Sequence, residues 1–203
     1  GSVSVALAQV WGHPALAGRR SVLLHAREAP GTLLRLVEAP ALSECPVAHP
    51  GYGWNAMEVL VRDPYSLAAE LQGSPFTVLI PPRPLPFDAA IHAMQVVGPA
   101  GELLYLTALP ADRTIMGLHG AQARVDRPFI AILGCADMEA VLGFYANTLG
   151  TPTIGAAPTI VKIINDSFEL PDAHRIPLGI VKVSRDSLIE VDELPAPAGP
   201  RPS

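Results

Sequence analysis

Three stretches of this chain close on nearly the same words. Residues 31–40 read GTLLRLVEAP, residues 101–110 read GELLYLTALP and residues 186–195 read DSLIEVDELP. Each combines a turn-forming start, an apolar run and a proline that cannot extend a strand ladder. A chain that repeats itself in this way is built from copies of one supersecondary unit. The matching positions are Arg35, Tyr105 and Glu190, and the intervals between them hold a helix and several strands, so the unit is a small mixed module rather than one turn of a solenoid.

A second repeated element opens two of the copies. Residues 56–63, AMEVLVRD, lead into PYSLAAEL, and residues 130–137, IAILGCAD, lead into MEAVLGFY. Asp63 and Asp137 are placed as helix N-caps, whose carboxylates accept from the exposed amides of the first turn, and Pro64 suits the first helical position. Leu67 and Leu71 in one segment, and Val141, Phe144 and Tyr145 in the other, form the apolar stripe of a helix packed on a sheet. Strands are predicted near residues 76–80 and 91–97, and again near 160–170 and 178–183. The expected unit is β-α-β-β-β, complete at residues 51–110 and 128–196, with only its later strands in residues 1–40. Residues 39–50 and 111–127 read as linkers and 197–203 as a loose tail. The predicted class is α+β: repeated βαβββ modules forming cupped, partly barrel-like mixed sheets with helices outside.

Composition removes several functions. Hydrophobic residues make up 49% of the chain, but 22 prolines and 17 glycines break every apolar run before it reaches bilayer length, so no membrane association is expected. With a net charge of -5 and its basic residues scattered, the chain has no stripe for nucleic-acid phosphates. Cys45 and Cys135 lack the spacing of a zinc site or redox pair. The start, Gly1-Ser2-Val3, has neither a basic stretch nor a cleavage pattern, and a cytoplasmic location is expected.

Asp137 followed by Phe144-Tyr145 and Leu149-Gly150, with Leu188-Ile189-Glu190 as closing strand, resembles the signature of vicinal-oxygen-chelate modules. That superfamily holds glyoxalases, bleomycin-resistance proteins and extradiol dioxygenases. Gly53-Trp54, residues 98–102 and Tyr105-Leu106-Thr107 are similar to multi-module bacterial members without a defined substrate. The resemblance implies that modules pair so that their curved sheets make a cup. It also implies a divalent metal held by a first-strand residue and a last-strand Glu. The last-strand position is Arg35, Tyr105 and Glu190 in the three copies, and the first-strand position, seven residues ahead of the capping Asp, is Ala56 and Ile130. A single Glu190 does not replace a coordination shell, so no cofactor is expected; any metal would fall to Glu190 and Glu58.

Glu58 shares the strand face of Ala56 by the period of two. It is expected either as a pocket acid, with a pKa raised by desolvation, or as a carboxylate paired to an Arg or exposed at the rim. Tyr105 and Arg35, at equivalent positions, would suit an anionic or enol-like ligand if their modules met. His92 and Gln95 lie on the preceding strand, three apart, so at most one faces the cup. Trp54 is a candidate pocket floor or seam residue, and Thr107 a candidate ligand contact. The remaining histidines show no ligand spacing.

Three readings follow. In the first, the chain binds a small molecule between paired modules, as resistance proteins of the superfamily do. In the second, it is a lyase, isomerase or dioxygenase-like enzyme on a small oxygenated substrate, with Glu58 and Tyr105 as base and acid. In the third, it is an assembly protein; two and a half modules are an awkward number for a fold that pairs them, and a homodimer would resolve this.

Overall fold

The computed structural model describes residues 1–26, 29–38, 50–155 and 157–200. The 39–49 part of the first linker, with Cys45, and residues 201–203 of the tail lie outside them. In chain order the elements are helix α1 (Val5–Val10), strands β1 (Ser21–Ala26), β2 (Ala29–Val37) and β3 (Gly53–Val61), helix α2 (Pro64–Glu70), and strands β4 (Thr77–Leu85), β5 (Asp88–Val97) and β6 (Leu103–Ala108). There follow β7 (Val125–Cys135), helix α3 (Met138–Leu149), β8 (Thr153–Ile154), helix α4 (Lys162–Ser167), β9 (Leu178–Lys182) and β10 (Leu188–Glu193).

Local chemistry starts the helices where the sequence marks them. The Asp63 carboxylate accepts from Tyr65 N ahead of α2, and Asp137 accepts from Ala140 N ahead of α3. α3 stops at Gly150, whose φ of 64° is a conformation open to glycine at little cost.

Eight strands form one mixed sheet in the order β4-β5-β6-β3-β7-β10-β9-β8. β3 lies parallel to β6, and β7 lies parallel to β10. The two first strands pair antiparallel at the centre. Each βαβββ unit therefore places its last strand beside its first, and the units are joined through β3 and β7. The sheet is open, with β4 and β8 at its edges. β4 carries Pro81, Pro82 and Pro84, residues that an edge strand tolerates because a missing N–H there faces away from a neighbour.

Both long helices lie on one face. Under α2, Leu67 packs on Val59, Val61, Met94, Val96 and Leu106. Under α3, Met138 and Leu142 pack on Cys135, Val181, Ile189 and Val191. The alternate residues of the same strands form the opposite, inner face, where Leu103, Tyr105, Ile132, Ile180 and Leu188 are buried.

A strand was expected near residues 160–170; the structure has α4 there instead. Val161, Ile164, Asn165 and Phe168 recur at helical spacing, and this stripe outweighs the strand preference of the β-branched residues. β8 is only two residues long, so the segment between β8 and β9 becomes an arm. Its stem continues the β8–β9 pairing through Ala157 N to Leu178 O and a bridge between Thr159 and Ile176, and α4 lies at its tip.

β1 and β2 form a separate two-stranded sheet, in contact with β7. Leu23 pairs with Arg35 there, as Gln95 pairs with Tyr105 on β5 and β6. The end of the described chain returns to the start of β3, where Tyr52 N donates to Gly199 O. Among the described residues no helix is long and apolar enough to cross a membrane.

Gly134 sits where β7 passes closest to other backbone. A Cβ there would fall inside the contact distance of Asn55 Nδ2 and the Gly51 carbonyl. Gly134→Ala should lower stability by about 3 kcal/mol through overpacking, read as a fall in the urea midpoint at unchanged m-value.

Candidate functional site

The inner face acquires its chemistry from strand register. Between Trp54 and Ala56 the β3–β7 pairing shifts by one residue, leaving Asn55 as the extra residue of a bulge. Asn55 is buried, and its Oδ1 accepts from Gly51 N at 3.0 Å. The bulge resets the alternation, so Ala56, Glu58 and Leu60 turn inward. Glu58 lies opposite Tyr105 on β6 and Ile130 on β7, and Tyr105 lies opposite Gln95 on β5. In the second unit Glu190 lies opposite Ile132, which lies opposite Ala56. Asp192 stands one strand period beyond Glu190, opposite Gly134. Thr107 stands one period beyond Tyr105, opposite Leu60 and Ala93.

These groups are closed off from water. Glu58 is 8% exposed, Tyr105 7%, Thr107 2% and Asp192 1%. The arm supplies part of the cover, with Val161, Ile163, Ile164 and Ile176 packing against Leu103, Tyr105 and Ile132. Asn165 pins it by donating from Nδ2 to the carbonyls of Pro171, Asp172 and His174. From the loop after β6, Leu118 packs on Leu60, Phe129, Ile180 and Leu188.

Burial sets the protonation of the site. It pushes the Glu58 carboxyl well above the usual carboxylate range, and repulsion from Glu190 adds to this; Thr107 opposes it. Thr107 Oγ1 is near enough to favour the charged form but makes no hydrogen bond of ordinary geometry. Burial raises Glu190 to about 7. Burial, then Glu190 and Glu58, raise Asp192. Tyr105 is pushed up by burial and by Asp192, Glu190 and Glu58, so its phenol remains protonated. Gln95 Oε1, Thr107 Oγ1 and Asp192 Oδ1 are buried without a hydrogen-bond partner. Each such orphan costs ~1–3 kcal/mol. The arrangement presents hydrogen-bond acceptors, a phenolic donor and exchangeable carboxyl protons to whatever occupies the inner face.

The structure brings together Glu58, Tyr105, Gln95, Thr107 and Glu190 of the predicted residues. Trp54 is set apart by the Asn55 bulge: it pairs with Leu133 and is 57% exposed. His92 belongs to the helix-covered side, where its Nδ1 is bonded to Tyr65 Oη at 2.9 Å. Arg35 is exposed on β2, its guanidinium 5.8 Å from the Trp11 ring, and the predicted pairing of phenol and guanidinium does not form. Asp192 is the addition. Its acidic neighbour Glu193 turns the other way and accepts from Met138 N. The period of two from Glu190 is the signal that separates them.

The divalent metal of the superfamily does not fit these residues. Ala56 and Ile130, at the first-strand ligand positions, carry no donor, and Tyr105 stands as a protonated phenol where a carboxylate would be required. Among the described residues no three His, Cys, Asp or Glu side chains converge to hold an ion.

No family profile and no curated protein matches this chain. Its structure is similar to glyoxalase I from Zea mays, with a TM-score of 0.57 at 14% identity over 88% of this chain and 60% of that one. It is also similar to a putative dioxygenase from Bacillus subtilis, with a TM-score of 0.53 at 12% identity over 88% of this chain and 52% of that one. The chain thus spans between half and three fifths of the length of these proteins. The likeness is one of fold, and the fold is the one implied by the sequence resemblance.

A carboxyl whose pKa is raised by folding binds its proton more tightly in the folded chain. Its stabilising effect is complete below the unfolded value of 4.5 and is lost as pH rises through about 7 for Glu190. Stability should therefore fall between those limits, by roughly 1 kcal/mol per pH unit for each such group. Glu190→Gln should flatten that slope in urea titrations run across the same range.

Proposed function

We propose that this chain, folded as glyoxalase I is folded, binds a small molecule on the inner face of its eight-stranded sheet, under the arm that carries α4. The observation that carries this reading is three of the buried polar atoms without partners, Gln95 Oε1, Thr107 Oγ1 and Asp192 Oδ1, on the sheet face that also carries Glu58, Tyr105 and Glu190. Proteins seldom bury such groups unless water or a ligand completes them. Binding needs no metal; whether binding is accompanied by chemistry turns on the carboxyls. Glu58, protonated by burial, and Tyr105 are hydrogen-bond donors to an oxygenated substrate, while Glu190, near 7, exchanges a proton most readily near neutral pH.

The reading is tested by screening small molecules against the full chain by thermal shift. A ligand of the inner face should raise Tm for the parent and lose at least about tenfold in affinity with Tyr105→Phe or Thr107→Val, each removing one buried hydrogen-bonding group. Ligands indifferent to both substitutions would place binding elsewhere.

A second reading, assembly, has its own observation. The hairpin of β1 and β2 exposes Val22, Leu23, Leu24 and Leu36 in a small, separate sheet. If the hairpin joins two copies into a homodimer, Leu23→Asp together with Leu36→Lys should shift the sedimentation coefficient of the chain to that of a monomer.

A further inference from the structure

The two units differ at one corresponding connection. In the first, residues 86–87 turn β4 straight into β5, with Leu85 paired to Asp88. In the second, the chain leaves β8 at Ile154 and reaches β9 only at Leu178, with α4 between. Long connections in compact domains often serve as lids or binding loops, and insertions into a single repeat often lie on the binding face. This one lies over the inner face, where Val161, Ile163, Ile164 and Ile176 pack on Leu103, Tyr105 and Ile132.

The forces inside the arm differ in kind from those beneath it. Asn165 Nδ2 donates to the carbonyls of Pro171, Asp172 and His174, and Arg175 donates to Pro158 O at 3.0 Å. Leu170 N donates to Asn165 O and His174 N to Pro171 O, both at 2.8 Å. Lys162 is paired with Asp166 and with Asp172. Each of these bonds joins two residues of the arm, so they hold its tip together whatever its position on the sheet. The packing on the sheet is made by apolar side chains, which are not directional and can part and meet again without breaking those bonds. The tip meets β9 through a short ladder, the bridge of Thr159 with Ile176 and the bond from Ala157 N to Leu178 O.

We infer that residues 157–177 are a lid, which swings on its stem as one piece and uncovers Tyr105 and the inner face around it to admit a small molecule. The inference rests on the binding reading above and supplies its route of entry. Glu58, Tyr105, Thr107 and Asp192 are all buried with the arm in place, so an organic molecule reaches them only when the cover moves. Opening by this route is a local event. It parts the contacts of one apolar cluster and leaves those under α2 and α3 intact. It therefore exposes less surface than unfolding does and depends less steeply on urea.

The experiment is thiol labelling of the full chain carrying Cys45→Ser and Cys135→Ala, so that one introduced cysteine reports at a time. Leu103→Cys places it on the sheet beneath the arm, Ile163→Cys on the underside of the arm, and Val191→Cys beneath α3 as the reference. Each variant is checked by circular dichroism for a native spectrum, and its urea unfolding gives the global stability and m-value. The thiols at 103 and 163 should react with a soluble aromatic disulfide at least about a hundredfold faster than global unfolding allows, with a urea slope below about half the m-value. The thiol at 191 should follow the global slope. Hydrogen exchange of the Leu170 and His174 amides should report rarer opening than the thiols do, because a swinging piece keeps its own bonds. Labelling at 103 and 163 with the full m-value would overturn the lid, as would fast labelling at 163 with position 103 still shut. Amides that open as often as the thiols would overturn it too, since the arm would then be unfolding rather than swinging. No ligand enters these measurements, so their failure leaves the thermal-shift test of inner-face binding to be decided separately. Ligands indifferent to Tyr105→Phe and Thr107→Val would in turn remove the binding reading and leave the measured motion of the arm standing.

Discussion

The antiparallel join of β3 to β7 is the constraint on which the rest of the structure depends. Each unit already pairs its first strand with its last, so the outer edge of that first strand is where the two ladders can be continued into one sheet. The join has a price in regularity. It carries three shifts of register, and it requires Gly134 to pass against Gly51 and Asn55. One of those shifts leaves Asn55 as the extra residue, which turns Glu58 inward and Trp54 outward. In a strand without that bulge Trp54 and Glu58 would share one face.

Burying acids in such a place works against stability. Burial disfavours ionisation of three carboxyls and a phenol there, Glu190 adds to the effect on Glu58, Asp192 and Tyr105, and one oxygen each of Gln95, Thr107 and Asp192 goes unpaired. A fold selected only for stability would place leucines at these positions, as Leu60, Leu103 and Leu188 already do on the same face. The four apolar clusters among the described residues supply the stability that sustains it. Departures from local rules that are tolerated inside a well-packed core are characteristic of functional sites.

Much of the fold could be read from the sequence because its signals are local. Asp63 and Asp137 cap the helices they precede, and the alternation of β6 and β10 places Tyr105 and Glu190 at matching positions. What could not be read depends on partners distant in sequence. A repeat shows that Arg35 and Tyr105 are equivalent; it carries no information on whether they meet, and Arg35 lies against Trp11 instead. The period of two fails across Asn55 because a bulge is set by the strand opposite. Residues 160–170 are rich in β-branched side chains, yet the stripe of Val161, Ile164 and Phe168 decides for a helix once there is a sheet face to cover. Asp192 was legible in principle, by parity with Glu190, and was obscured by the acidity of Glu193 beside it.

The prolines of β4 bear on how the molecule behaves among its own kind. An open sheet offers backbone donors and acceptors along each outermost strand, and a chain that is 49% hydrophobic would be prone to grow there, strand upon strand, into fibres. Pro81, Pro82 and Pro84 interrupt the donor row on one side, and the two-residue length of β8 leaves almost no template on the other. The same edge composition that shapes the large sheet therefore limits strand-upon-strand growth at its two outer strands.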